Sequence, residues 1–279
     1  MYQLGNEQEI NLSSDIAKTL LIPLYMRHKE SLRENKFFYD EVACQLVKKI
    51  KYDFSIFDKA IGSSVGCALR AKYFDEKSIE FINSHTNPII VQIGCGLDSR
   101  YFRIENKISK ALKFYNLDLP EVIDLRQSIL IEPDCVSFIK SSMFETTWMH
   151  DLKKQHPHAQ FLFVIEGVLM YFDKAQVQDF FENMAQIFDD SDIACDITNT
   201  WMSENSGKHD SIKLTNATFK LAMDDLHEPE QWHEKISFVS SKRFTEFQEW
   251  KLTGLFKYWL MKRLSNVNNA CRLVNYHIK

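Results

Sequence analysis

From Asn87 onward the chain alternates short apolar runs with stretches whose apolar residues recur every three or four positions. "PIIVQIG" (88–94), "ALKFYNLD" (111–118), "QFLFVIEG" (160–167) and "SDIACDI" (191–197) read as strands, three of them apolar at nearly every residue. That texture belongs to parallel strands covered on both faces. Between the last two, "DKAQVQDFFENMAQIF" (173–188) sets Val177, Phe180, Phe181, Met184 and Phe188 on one helical face, with Asp173 placed to cap its N-terminus. Strand alternating with helix predicts a doubly wound α/β sheet.

The first 85 residues read mostly helical, with amphipathic runs around Ile16–Lys29, Tyr39–Ile50 and Val65–Asn83. Pro23 is expected to bend or end the first of them. Residues 199–234 break the alternation with a polar insertion containing several aromatics, after which "KISFVSS" and "CRLVNYHI" look like two closing strands. An insertion between late strands lies above their carboxyl ends, where ligands bind in this architecture. The expected organisation is one domain over 1–279: a helical region (1–86), a cofactor-binding core (87–198), a substrate-side insertion (199–234), and closing strands with a helix (235–279).

Composition adds mainly exclusions. Apolar residues at 45% and charged residues at 26% suit a globular protein with a sizeable core, and a net charge of −4 argues against a nucleic acid as the main partner. No segment approaches the roughly 20 apolar residues of a membrane span, and the N-terminus lacks a basic stretch followed by an apolar core, so a soluble cytoplasmic protein is expected. Six scattered cysteines, without CxxC or a His at ligand spacing, read as reduced thiols, and no metal is expected.

Candidate chemistry begins at the end of the first strand. The chain has only eight glycines, yet Gly94 and Gly96 stand there one residue apart. Glycine at 94 lets the chain turn sharply, and glycine at 96 lets a ligand approach the backbone. A dinucleotide fingerprint would place a third glycine at 99, where Ser99 stands, so the pattern is GxGxD with Asp98 following. A tight turn alone would explain it. Asp118, however, ends the next strand 24 positions after Gly94, near where this architecture sets a carboxylate on the ribose hydroxyls of a nucleoside; its other reading is a cap on the helix starting at Pro120. Glu166 ends a third apolar run. A buried unpaired carboxylate is costly, so Glu166 must meet either a ligand cation or a neighbouring Arg or Lys.

With these residues in place, the sequence resembles the S-adenosylmethionine-dependent O-methyltransferases that include the leucine carboxyl methyltransferases and the tetracenomycin-type polyketide O-methyltransferases. The resemblance runs through "TLLIPLYMRHKES" (19–31), "GCALRAKYFDE" (66–76), "QIGCGLDSRYFRI" (92–104), "YNLDLPEVIDLR" (115–126), "EGVLMYF" (166–172), "GKHDSIKLTNATFK" (207–220) and the closing "CRLVNYHI". It implies a class I methyltransferase with a Rossmann-like, seven-stranded, mostly parallel sheet whose last strand is antiparallel, and N-terminal helices closing over S-adenosyl-L-methionine. Arg70 would hold the methionine carboxylate of that cofactor, which a bidentate guanidinium suits. Gly94 would approach the methionine and ribose, Gly96 counts with it among the cofactor-binding residues, Asp118 would bind the ribose hydroxyls, and Glu166 would lie near the amino group. Arg27 would make a second carboxylate contact, with Lys29 as the competing assignment. Ser142 and Met143 fall where relatives carry an Asp-Leu pair beside adenine, with Glu145 as a local substitute for the missing charge.

The implied reaction is an in-line methyl transfer to a small-molecule carboxylate or hydroxyl. A carboxylate acceptor needs no base; a hydroxyl benefits from one, and Tyr171 and His209 are the candidates. Trp201, Phe219, Trp232 and His233 either line an apolar acceptor pocket or form the insertion's own small core. Kept beside this reading are methylation of a protein C-terminal carboxylate, a modified tRNA base as acceptor, a cofactor-binding module without turnover, and a nicotinamide-dependent oxidoreductase, which the missing third glycine disfavours.

Overall fold

The computed structural model describes residues 3–4, 15–108, 112–215 and 217–279. The apolar runs become strands β1 (Pro88–Ile93), β2 (Lys113–Asp118), β3 (Val136–Lys140), β4 (Gln160–Ile165), β5 (Ser191–Thr198), β6 (Ile236–Arg243) and β7 (Cys271–Ile278). They pair in the order β3-β2-β1-β4-β5-β7-β6, parallel except for β7, which lies antiparallel between β5 and β6. This is the expected sheet. Strand β3 is the one the apolar pattern does not predict: it forms an edge with only Val136 buried, so its sequence carries no apolar run.

Helices α1 (Asp15–Ser31), α2 (Glu41–Lys49) and α3 (Ile61–Ser84) precede the sheet. Helices α4 (Arg100–Ile104), α5 (Pro120–Ile129), α6 (Thr146–Gln155) and α7 (Lys174–Ile187) follow β1, β2, β3 and β4 in turn. The two-residue period of β1 and β4 divides their side chains cleanly. Ile89, Val91, Phe161 and Phe163 join the core under α6 and α7, whereas Ile90, Leu162 and Val164 join the core under α3. At the start of α7, Gln176 Oε1 accepts from the Asp173 backbone N–H at 3.2 Å, the reciprocal half of a capping box around the expected cap.

Pro23 does not end the first helix, which runs continuously from 15 to 31. An interior proline costs about 3 kcal/mol in an isolated helix. Here Leu21, Ile22, Leu24 and Met26 are buried against α2 and the turns leading to α3, each worth about 1.5–3 kcal/mol, so packing outweighs the lost backbone bond. Among the described residues, no helix is long and apolar enough to cross a membrane.

The insertion after β5 contains two short helices, α8 (Thr200–Glu204) and α9 (Glu228–Trp232), and a second excursion between β6 and β7 carries α10 (Leu255–Arg263). The first part of the insertion and the second excursion cover the carboxyl edge of the sheet, whereas α9 packs against α7 and β6.

Candidate active site

A cavity of about 1090 Å³ opens at that edge, walled by α1, α3, the tips of β1, β2 and β4, the insertion, and the α10 excursion. Arg27, Arg70, Gly94, Gly96, Asp118, Ser142, Met143, Glu166, Tyr171 and His209 all line it, so these ten candidates lie on one surface.

Its floor is the turn after β1. Gly94 and Gly96 both take the left-handed conformation, at φ +64° and +48°, which glycine alone adopts without strain. The Gly94 N–H donates to the Leu117 carbonyl at 2.8 Å. Asp118 closes the turn from the neighbouring strand: its Oδ2 accepts from the Gly96 N–H at 2.8 Å and its Oδ1 from the Leu119 N–H at 2.8 Å. The cap reading of Asp118 does not hold: Leu119 is the N-cap of α5 and no side chain caps that helix, while Asp118 holds the turn before it and lines the cavity. Burial pushes its carboxyl pKa up, and these two N–H donors oppose that. Arg126 of α5 straps the loop from behind, donating to the Gly96 carbonyl at 2.9 Å and to both Glu132 oxygens.

A second group of charges lies beside the turn. Glu166 meets Arg70 Nε at 3.1 Å and Arg100 Nη2 at 2.5 Å, so in this structure its partners are the neighbouring arginines. Arg70 also pairs with Asp196 of β5 at 2.8 Å, and the Asp196 carboxylate accepts from the Gly167 N–H at 2.7 Å. Gly167 sits at φ +72°, and a Cβ there would stand 2.7 Å from Arg70 Nη2, so this glycine is what lets the guanidinium come so close.

Deeper still, Asp98 accepts from Gln92 Nε2 at 2.7 Å and pairs with Arg103 at 2.6 Å and Arg100 at 3.1 Å. Burial alone would raise the Asp98 pKa; Arg103, Arg27 and Arg100 outweigh it and hold the carboxyl well below the usual range. Arg27 bonds Asp40 at 2.9 Å and the Leu97 carbonyl at 3.0 Å. Lys29, its competitor, turns to the Asp58 carbonyl at 2.6 Å on the outer side of α1 and is not part of the cavity wall.

The insertion divides. Trp201 and Phe219 face the cavity, with Phe219 against Tyr171 at a ring separation of 5.6 Å. Trp232 instead packs on Phe181 of α7 in the main core, at 5.8 Å, and His233 Nδ1 accepts from the Lys235 N–H at 3.2 Å. Those two are absent from the cavity wall, as is Glu145. Sequence reasoning gave no role to Asp98, Arg100, Arg126 or Asp196. Asp196 carried a usable signal, an acid inside an apolar strand, the same signal that picked out Glu166.

A family model described as leucine carboxyl methyltransferase matches residues 21–185, a span that includes α3, the glycine turn, Asp118 and Glu166. The chain belongs to that family. Over 272 residues it is 26% identical to the tetracenomycin polyketide synthesis O-methyltransferase TcmP of Streptomyces glaucescens, covering 94% of this chain and 96% of that protein. It is also 26% identical, over 188 residues, to the S-adenosyl-L-methionine-dependent methyltransferase dpfgK of Gibberella zeae, covering 63% of this chain and 62% of that one. Among solved structures, a DUF574 family protein from Streptomyces avermitilis shares the fold with a TM-score of 0.59 at 9% identity, covering 92% of this chain and 97% of that one. This leucine carboxyl methyltransferase relative is an S-adenosyl-L-methionine-dependent O-methyltransferase.

Proposed function

We propose that the protein works in the cytoplasm on a small aromatic, polyketide-like acceptor, and that the residues assembled around the glycine turn hold its cofactor. The observation that carries the reading is the Asp118–Gly96 contact at the carboxyl edge of β1 and β2, opening on a cavity larger than the roughly 300–1,000 Å³ of single-ligand sites. One cavity thus has room for a nucleoside and an acceptor together.

The donor set suits this cofactor. Arg70 would offer its guanidinium to the methionine carboxylate, Glu166 its oxygens to the ammonium, and Asp118 its remaining lone pairs to the ribose hydroxyls. Ser142 and Met143, on the same cavity wall, would flank the base, and Arg27 would give a second cation for the carboxylate.

When bound, S-adenosyl-L-methionine supplies a methyl group already activated by its sulfonium. The chain's task is then to orient and to dry. Trp201, Phe219, Tyr171 and Met170 line an apolar stretch of the cavity wall on which an aromatic acceptor would stack and from which it would exclude water.

Thermal shift tests the cofactor half. At 100 times its dissociation constant a ligand stabilises the fold by about 2.7 kcal/mol, which for a chain of this size is a rise of roughly 5–10 °C. S-adenosylmethionine and S-adenosylhomocysteine are expected to give that rise and NAD none, with the response lost in Arg70→Ala and Asp118→Ala. Stabilisation by NAD alone would overturn the reading. Transfer of labelled methyl to small aromatic acceptors, and not to peptides with a free C-terminal carboxylate, is the expected outcome of an acceptor screen.

A further inference from the structure

Helix α10 carries apolar side chains on opposite sides, and only one side is covered. Tyr258 and Met261, three positions apart, pack against the core that α3 shares with the sheet, and Leu260, Met261 and Leu264 line the cavity. The other side carries Phe256, Trp259 and Arg263, which helical spacing sets on one stripe. Leu255 is 72% exposed and Phe256 75%, and Trp259, Leu260, Leu264 and, just before the helix, Leu252 are exposed as well. A helix that is apolar all round is normally buried. Among the described residues, nothing covers this side of α10.

Charge narrows what the partner is. Residues 250–279 hold six cations, Lys251, Lys257, Lys262, Arg263, Arg272 and Lys279, and no acidic side chain, in a chain whose net charge is −4. The four on and beside α10 are exposed, and none of them pairs with a carboxylate among the described residues. Arg263 instead lies 3.9 Å over the Trp259 ring, which stacks on Phe256 at 6.4 Å. A second copy docked here about a two-fold axis would set these cations against their own kind. A nucleic acid would answer the charge and leave the leucines in water. A bilayer with anionic headgroups answers both, since it takes Trp, Phe and Leu side chains into the headgroup boundary and draws Lys and Arg to its phosphates.

We propose that α10 is an interfacial helix by which the protein docks on the surface of a membrane containing anionic lipid. It lies on that surface and does not span it, being nine residues long. The docked side is next to the cavity wall that Leu260 and Leu264 help to form, so the cavity then opens close to the lipid. On the polyketide-like acceptor reading above, an apolar acceptor held in the bilayer reaches the site along α10 with little exposure to water; the docking itself does not depend on that reading.

Flotation of the full chain with lipid vesicles tests this. The wild type is expected to bind vesicles of equal parts phosphatidylcholine and phosphatidylglycerol, to bind phosphatidylcholine alone weakly, and to leave the anionic vesicles as salt is raised. Each cation brought to such a surface is worth about a fivefold change in partitioning, so Lys262→Gln with Arg263→Gln is expected to weaken binding about 25-fold. Phe256→Ser with Trp259→Ser is expected to weaken it by about tenfold or more. None of these four side chains lines the cavity, so both double variants are expected to keep the wild-type melting curve and the S-adenosylhomocysteine thermal shift. Absence of binding to anionic vesicles by the wild type would overturn the proposal, as would binding that neither double variant weakens. A wild-type dimer without vesicle affinity, dissociated by Phe256→Ser with Trp259→Ser, would also overturn it and assign the face to a second copy. Vesicle binding by protein that S-adenosylhomocysteine does not stabilise would uphold the docking and remove only the methyl-transfer reading.

Discussion

Replacing Asp98 by alanine is expected to cost about 3–5 kcal/mol of stability and to lower the melting temperature by roughly 10 °C, because it leaves buried guanidinium charge without its counter-charge. Asp98 is 7% exposed and stands among Arg27, Arg100 and Arg103. Arg103 keeps Asp75 and Asp40, and Arg27 keeps Asp40, so the deficit falls on the cluster as a whole rather than on one pair. Total stabilities are only about 5–15 kcal/mol, so this is a large fraction. Asp189→Ala, at a surface pair with Lys235 where the Asp side chain is 58% exposed, is the matched control and is expected to change stability by less than about 1 kcal/mol. Urea melts of both variants decide it, and an Asp98→Ala loss no greater than the control's would show that the cluster is not held by this charge.

The same residue gives the prediction a pH signature. Its carboxyl pKa is depressed in the folded state, so the stability it contributes is fully present above the unfolded aspartate value, near about 3.9, and is lost as pH falls through the lower folded value. The gap between wild type and Asp98→Ala should therefore stay constant from pH 7 to pH 5 and close only in stronger acid.

How much of this was legible in the sequence follows from which interactions are local. Strands β1, β4 and β5 announce themselves because burial on both faces demands unbroken apolar runs, and Asp118 and Glu166 stand out because a carboxylate ending such a run needs a reason. The glycine turn is legible for the same local cause. The arginine cluster is not. Asp75 sits in "YFDEKS" between aromatic residues and exposed charges and reads as one more solvated position on α3, yet Arg103 grips it across 28 residues at 2.7 Å. Asp40 and Arg103 are 63 residues apart and meet at 3.0 Å. No spacing rule encodes those contacts; only the packing of α3 and of the start of α2 against α4 creates them. The insertion shows the same limit: Trp201 and Trp232 have similar surroundings in sequence, and only the path of the chain sends one into the cavity and the other into the core.

Gly94→Ala is expected to abolish cofactor binding, with two separable causes that can be taken apart by a second substitution. A Cβ at position 94 would stand 2.4 Å from Val168 Cγ2 and 3.3 Å from Val168 Cγ1. Val168 is β-branched and stiff, so it cannot swing its methyls away, and the turn itself must shift. Independently, φ at +64° costs an alanine about 1–2 kcal/mol. Moving the turn by even a few tenths of an ångström displaces the Gly96 N–H from Asp118 at 2.8 Å, and with it the carboxylate proposed for the ribose. Adding Val168→Ala removes both clashing methyls and leaves only the Val168 Cβ position, at an ordinary 3.4 Å. The double variant should therefore regain part of the S-adenosylhomocysteine thermal shift while keeping a deficit of about 1–2 kcal/mol in folding stability from the backbone strain. Calorimetric titration with S-adenosylhomocysteine reads the binding and urea melts read the strain. If Gly94→Ala alone binds as tightly as the wild type, the turn does not form the floor of the cofactor site; if the double variant binds no better than the single one, the left-handed backbone rather than contact with Val168 is what the site requires of Gly94.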